Sequence, residues 1–581
     1  MRHCSDWGMM EFLRNGRDTI LNATAGAGRA FSFLTVEVRT LQAAAYILAL
    51  SALLSSILAL LRDRVLAHLF GASASLDLYY AAFRIPDMVF IGIGALVSAY
   101  MLIPELARRD ESAQRRYLDN VVAGYALLVA VVGIIAYLVA PWILARTFPA
   151  LALSGALPEL ISLTRILLLQ AVLLGFSNVA AAITQFKHRY ALYAVSPIVY
   201  NVGIIFGAIA LYPLYGLPGL VWGVCIGAAL HLGIQLPSIF RDGFFRRIPT
   251  LSEPRLFLGT VMLSLPRALA LSMNQLAFFG LLVLAGSLAA GSISVFMFAY
   301  NLQGVPLGII GASYATAAFP TLAYAFSRGR SHEFALQISV AARQILFWSM
   351  PAITLAIVLR AHVVRAVLGS GSFDWTDTRL TAAAFALFAV SLVAQGLSLL
   401  IIRALYAAGK TFVPFVLSLF TGTLMLGLGI TFLRMLENRD ATNFIEAFLR
   451  VQDVVGTEVL GLALAYSTAS IIGTLFVALY FQAHFSGLFE SLRRTWWESL
   501  TAAFASGIAA YIILNLIGDV TFSSTLLSVL MKGASAGIVG CVAAGFTYWL
   551  LGSREFAENA QAFRRALWKE AAPVTSGEQG A

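Results

Sequence analysis

The residues that bear most directly on function are ionisable side chains standing where the surrounding chain is apolar. Arg62, Asp63 and Arg64 end one long apolar run, and Asp77 opens the next. Within that second run Arg84 and Asp87 flank Pro86. Arg165 sits in a later run, Arg267 follows Pro266 deep inside another, and Arg403 lies late in a further one. A charge in hydrocarbon is costly unless it faces a cavity or a partner, so such residues point to a site. Guanidinium groups keep their charge and grip oxygens through a bidentate fork, which suits phosphate or pyrophosphate. The set read as the wall of a cationic, hydrated cavity is Arg62, Asp63, Asp77, Arg84, Arg267, Asn274, Asn301 and Arg403. Gln170, Asn178, Asn201, Gln275, Gln303 and Gln395 lie at similar depth. A structural reading competes: Arg62, Arg64 and Arg403 can snorkel to an interface, while Asp63 or Asp77 can pair with them or cap a helix.

Other chemistries find little support. His68, His188, His332, His362 and His484 fall near helix ends or loops, and His231 stands alone in an apolar run, where a packed, hydrogen-bonded role is expected. Cys4, Cys225 and Cys541 are scattered without metal or redox spacing. No P-loop, HExxH or Asp-x-Asp pair is present, so neither ATP-driven transport nor metal catalysis is expected. No cofactor is expected, and coupling to the membrane potential or to a monovalent ion stays open.

The elements that must position these side chains are membrane-spanning helices. Hydrophobic residues make up 60% of the 581 positions and charged residues 12%, about half the charged share of a soluble chain. In lipid only helices and closed barrels satisfy their backbone, and the continuous apolar runs of about twenty residues select helices. Fourteen spans are predicted, over 43–61, 79–106, 119–142, 160–185, 190–212, 217–239, 258–287, 292–325, 336–359, 380–407, 412–434, 455–483, 499–517 and 525–551. The second and eighth carry internal Pro or Gly (Pro86, Gly92, Gly94; Gly304, Pro306, Gly308, Gly311) and are expected to bend or partly unwind.

The net charge of +10 reads as topology rather than as a nucleic-acid surface, because basic residues gather in cytoplasmic loops. With the N-terminus inside, the cytoplasmic segments hold Arg108, Arg109, Arg115, Arg116, then Lys187 and Arg189, then Arg241, Arg246, Arg247 and Arg255. Further along come Arg328, Arg330, Lys410, Arg493, Arg494 and a tail with Arg554, Arg564, Arg565 and Lys569. The loops near Arg360–Arg379 and Arg434–Arg450 break the bias. An even number of spans leaves both termini in the cytoplasm. Residues 1–40 read as a basic cytoplasmic leader without a cleavable signal peptide, and residues 553–581 as a disordered cytoplasmic tail.

A faint internal repeat sets the expected architecture. GASASLDLYYAAFRIPDMVFIGIGA (Gly71–Ala95) is echoed by LAAGSISVFMFAYNLQGVPLGIIGA (Leu288–Ala312). Thr164-Arg165 and the Lys187–Pro197 stretch are echoed by Thr378-Arg379 and Lys410–Pro414. Copies six spans apart with the same topology predict two six-helix lobes, 41–240 and 256–485, related by an axis along the membrane normal. Two further helices fall within 497–552.

Several stretches together resemble the MviN/MurJ-type lipid II flippases of the multidrug/oligosaccharidyl-lipid/polysaccharide (MOP) exporter superfamily. They are LLRDRVLAHLFGASASLDLYYAAFRIPDMV, AAITQFKHRYALYAVSPIVYNVGII, LPRALALSMNQLAFFGLLVLAGSLAAGSISVFMFAYNLQGVPLGIIGASYATAAFPTLA, LGSGSFDWTDTRLTAAAFALFAVSL and IIRALYAAGKTFVPF. They run in order from about residue 45 to 550. The resemblance implies two six-helix lobes around a central cavity, two C-terminal helices beside it, and movement of an undecaprenyl-pyrophosphate-linked peptidoglycan precursor across the bacterial cytoplasmic membrane. It also implies that Arg62, Asp63 and Asp77 match functional charges of the family's first loop, and that Arg84 stands at a position usually basic. The chain departs from the family at Ser56, at Phe90-Ile91 and at Tyr300-Asn301, where basic or Asp-Arg residues are usual. Arg267 is placed to supply part of the charge so removed.

The substrate reading is therefore lipid II, with another polyprenyl-linked glycan or a non-transporting scaffold in cell-wall synthesis as alternatives. The partners expected are the lipid-linked glycan, membrane lipids and cell-wall synthesis proteins. A drug exporter of the same superfamily would need acidic residues in the first-lobe cavity, where spans three to six hold none beyond Asp119 and Glu159 at their ends.

Overall fold

The computed structural model describes residues 41–568, apart from 246, 411, 486, 519, 522 and 523. The expected leader, residues 1–40, lies outside the described residues. Among the described residues all regular structure is helical. Twelve helices are long and apolar enough to cross a membrane, or thirteen if the bent pair Trp375–Ala389 and Leu392–Ala407 forms one span. The expected count of fourteen is therefore not confirmed among the described residues. The predicted span 43–61 falls within the helix Leu41–Phe70, at whose start the side chains of residues 41–46 are outside the described set.

The bent spans follow their sequence. The second breaks into Ala74–Ala82, Arg84–Gly94, a tight turn at Ala95–Val97 and Ala99–Ala107. The eighth runs Ser292–Pro306, widens to a π-helical turn over Leu307–Ala312, and continues as Ser313–Ser327. Proline supplies no N–H to the ladder and crowds the carbonyl four residues back, so Pro306 sits where the helix widens.

The chain divides into two compact units: described residues up to Arg62 with Ile85–Ala140 and Ser162–Ala268, and Asp63–Arg84 with Pro141–Ile161 and the residues from Leu269 onward. Asp77, within Asp63–Arg84, bonds Gly291 and Ser294 of the same unit.

In the first unit, Tyr190–Phe206 and Leu217–Gly233 approach until backbones touch. A Cβ on Gly203 would lie 2.3 Å from Gly227 Cα, and one on Gly223 would lie 2.2 Å from Gly207 Cα. Glycine at these four positions is a packing requirement, as for helices associating in lipid. Arg189, placed by the sequence in a cytoplasmic loop, holds Asp242 through two parallel bonds of 2.7 and 2.8 Å. His231 Nδ1 and Ser177 Oγ lie 2.6 Å apart, and Gln235 Nε2 donates to that hydroxyl at 2.8 Å. The histidine is the packed residue expected. Outward faces stay apolar: Leu127, Ile134, Ile135, Leu138 and Trp142 are all exposed on Glu111–Thr147, as suits a lipid-facing helix.

In the second unit Ser331–Val358 packs along Leu488–Ile517, and Phe412–Leu436 along Val459–His484. Phe334 and Phe481 lie buried in one cluster with Leu400 and Leu405 of Leu392–Ala407. The tail departs from expectation. Arg554–Trp568 is a helix, and only residues 569–581 lie outside the described set. Its first turn is fixed by Glu555, 4% exposed, which meets Arg343 at 2.9 Å and accepts from Thr495 Oγ1 at 3.2 Å. Asn559 Nδ2 adds a bond to Gln344 Oε1 at 2.8 Å. Charge composition signalled disorder; these specific partners override it.

Candidate functional site

Arg84 begins a helix in the middle of the broken second span and is 4% exposed. Its Nε donates to Tyr80 O at 3.0 Å, one turn back, and its guanidinium lies 5.9 Å from the centre of the Phe278 ring. Phe278 opens an aromatic cluster. Its ring centre is 4.6 Å from that of Tyr300; Tyr300 in turn meets Phe388 at 5.9 Å and Tyr466 at 5.6 Å. The ring faces offer negative quadrupole density to a cation, so the cluster is a favourable wall for a buried arginine.

A polar network continues from these rings. Tyr466 Oη donates to Gln395 Oε1 at 3.2 Å. Gln395 Nε2 donates to Gln303 Oε1 at 3.1 Å and to Ser391 Oγ at 2.8 Å. Ser467 Oγ donates to Leu387 O at 2.7 Å. Ser391 stands at the 45° bend between Trp375–Ala389 and Leu392–Ala407, where ladder carbonyls lose their usual partners. Side-chain donors supply what the bend removes.

The other predicted residues distribute as follows. Asn301 Nδ2 donates to Asp63 Oδ2 at 3.0 Å, so these two come together, with Asp63 3% exposed. Asp77 accepts from Gly291 N at 2.7 Å, from Ser294 N at 2.7 Å and from Ser294 Oγ at 2.6 Å. It therefore caps the N-terminus of Ser292–Pro306, where an anion is favoured. Arg62 Nη1 donates to Asn201 Oδ1 at 3.1 Å. Arg403 Nη1 donates to Thr316 Oγ1 and, at 3.4 Å, to Ala312 O. Asn274 is exposed. The side chain of Arg267 lies outside the described residues. None of the seven whose side chains are described lines the apolar cavity of about 650 Å³ between Leu346, Val393, Ile471, Arg493 and Trp496.

Sequence reasoning missed Phe278, Phe388 and Tyr466. The signal was thin: Phe296 and Tyr300 stand four residues apart on one helix face, and each requires an aromatic or apolar partner from another span. Among the described residues no group of three or more His, Cys, Asp or Glu could hold a metal ion.

Twelve or thirteen helices apolar enough to cross a membrane, with broken spans and a buried arginine set beside an aromatic ring, define the class among the described residues: a polytopic helical membrane protein. Solved structures agree on the fold. The chain superposes on a lipid II flippase MurJ in its inward closed conformation with a TM-score of 0.69 at 20% identity, covering 87% of this chain and 99% of that one. An inward-facing multidrug-resistance MATE transporter of the MOP superfamily gives 0.58 at 17% identity, covering 74% and 95%.

The family model described as lipid II flippase MurJ matches residues 66–530, and the chain belongs to that family. Relatives include the lipid II flippase MurJ of Burkholderia cenocepacia, 25% identical over 59% of this chain and 68% of that protein. The probable lipid II flippase MurJ of Bdellovibrio bacteriovorus is 26% identical over 86% of this chain and 94% of its own length. That of Thermotoga maritima is 29% identical over 65% and 76%.

Proposed function

We propose that this chain moves lipid II, the polyprenyl-pyrophosphate-linked peptidoglycan precursor, from the inner to the outer leaflet of the bacterial cytoplasmic membrane. The observation that carries the proposal is the family match across residues 66–530, which spans both copies of the internal repeat. Arg84 supports it: a permanent cation buried at the break of a span is matched in charge and fork geometry to a pyrophosphate. In this mechanism Arg84 holds the pyrophosphate while alternating access exposes it first to the cytoplasm and then outward, and the prenyl tail stays in the bilayer. The membrane potential contributes about 2.3 kcal/mol per charge per 100 mV, enough to bias the return of an unloaded cationic site. Both termini lie in the cytoplasm in this topology, and cell-wall synthesis proteins receive the product.

A second substrate, another polyprenyl-linked glycan, is favoured by one observation. Where the family resemblance implies basic side chains, Ser56 Oγ bonds Ala52 O of its own helix at 2.9 Å and Asn301 bonds Asp63. Growth rescue of a bacterium depleted of its own lipid II flippase separates the two: rescue selects lipid II, and failure at good membrane abundance selects the other glycan.

A further inference from the structure

The two loops that break the charge bias, near Arg360–Arg379 and Arg434–Arg450, meet at one short helix, Arg439–Leu449. Asn438 caps its start by accepting from Asp440 N at 3.0 Å. Two arginines hold its end. Arg360 Nη2 donates to Leu449 O at 3.1 Å, and Arg379 Nη2 donates to Arg450 O at 3.0 Å and Gln452 O at 2.9 Å. Carbonyls at a helix C-terminus carry partial negative charge and lack ladder partners, so cations belong there. Thr457 Oγ1 donates to Glu446 Oε1 at 2.7 Å and secures the inner face, where Leu449 is buried.

The opposite face is apolar and open. Phe444 is 71% and Phe448 74% exposed, one turn apart, with ring planes 12° from parallel. Ala447 shares this face, and Val455 just beyond is 83% exposed. A helix tied down by three side chains yet presenting two phenylalanines outward needs an apolar phase opposite them, since each full burial is worth about 1.5–3 kcal/mol.

The position of the helix selects that phase. The preceding span ends at Leu436, three residues before Arg439, so the helix starts no more than about 11 Å from the end of that span. The layer between hydrocarbon and bulk water is about 5–8 Å deep on each side. Arg434, Arg439 and Arg450 are exposed around it and would meet lipid phosphates. We propose that Arg439–Leu449 is an interfacial anchor, lying in the headgroup layer with Phe444 and Phe448 inserted among the acyl chains of the bilayer.

The test places a nitroxide on Phe444→Cys or Phe448→Cys in a background carrying Cys4→Ser, Cys225→Ala and Cys541→Ser, with the whole chain in bilayer discs of phosphatidylethanolamine and phosphatidylglycerol. Collision with oxygen and with a nickel chelate is compared with a label on Asp110→Cys, in an exposed turn. Ala447→Cys, on the same face, serves if either phenylalanine variant misfolds. Insertion predicts that oxygen access exceeds nickel access at 444, 447 and 448, the reverse of residue 110. Equal nickel access at all four sites would put the face in water and overturn the proposal. Protection from both reagents would mean that protein, a second copy or a partner, covers it, and would overturn the proposal as well.

Discussion

Ser294 donates to the same oxygen of Asp77 twice, from its backbone N–H at 2.7 Å and from its hydroxyl at 2.6 Å. In the internal repeat that aligns Gly71 with Leu288, Asp77 and Ser294 are equivalent positions. The contact joins two positions that the repeat makes equivalent, one from each copy. Gly291 lies beside it, and a Cβ there would stand 2.4 Å from Ala72 O. The contact is thus both bonded and sterically tight.

Asp77→Ala strands the Gly291 and Ser294 N–H groups and the Ser294 hydroxyl, at about 1–3 kcal/mol for each buried donor. A lowered melting temperature of the purified chain is expected, with Asp77→Asn milder because it keeps an acceptor. Combining Asp77→Asn with Ser294→Ala is expected to be clearly less than additive, because the pair shares its bonds. Additive shifts would mean the two do not interact in the membrane.

The glycine contact between Tyr190–Phe206 and Leu217–Gly233 predicts a sharp positional contrast. Gly203→Val or Gly223→Val forces two backbones apart and costs about 1–3 kcal/mol or more. Gly233→Val, with nothing within 4 Å of a Cβ, leaves packing intact. Detergent-resistant folded yield, read by fluorescence size-exclusion, is expected to fall for the first two alone.

Breaking the Arg343–Glu555 pair leaves a charge with little exposure, 15% for Arg343 and 4% for Glu555. Glu555→Ala is expected to cost about 3–5 kcal/mol of docking and to release the C-terminal helix. Limited proteolysis is then expected to cut within 554–568 faster than in the parent chain. Unchanged protection would show that Asn559 and the helix's apolar contacts suffice.

Much of this was legible in the sequence, for identifiable reasons. Continuous apolar runs fix helices because lipid leaves the backbone no other partner, and Pro306 with its glycines announced the widened eighth span. Five collinear motifs placed the family. What could not be read is who bonds whom. Asp77 looked like a cavity charge, and its capping of Ser292–Pro306 depends on residues some two hundred positions away. Arg360 and Arg379 looked like violations of a topological rule, whereas they cap carbonyls. The tail looked disordered by composition, and one buried ion pair orders its first turn.

Arg84→Lys keeps the charge but loses the fork that matches a pyrophosphate, so partial function is expected, with Arg84→Ala lower still. A lysine variant as active as the parent would mean that charge alone suffices at this position.

The most direct test of lipid II translocation is arrival of the precursor at the outer leaflet. A bacterium depleted of its own flippase would express this chain, or the Arg84→Ala/Arg267→Ala variant at equal membrane abundance, and accessible lipid II would be measured. Restored arrival with the parent chain and loss of it with the double variant is the predicted result. No arrival with the parent chain, despite full insertion, would contradict the assignment of lipid II as its substrate.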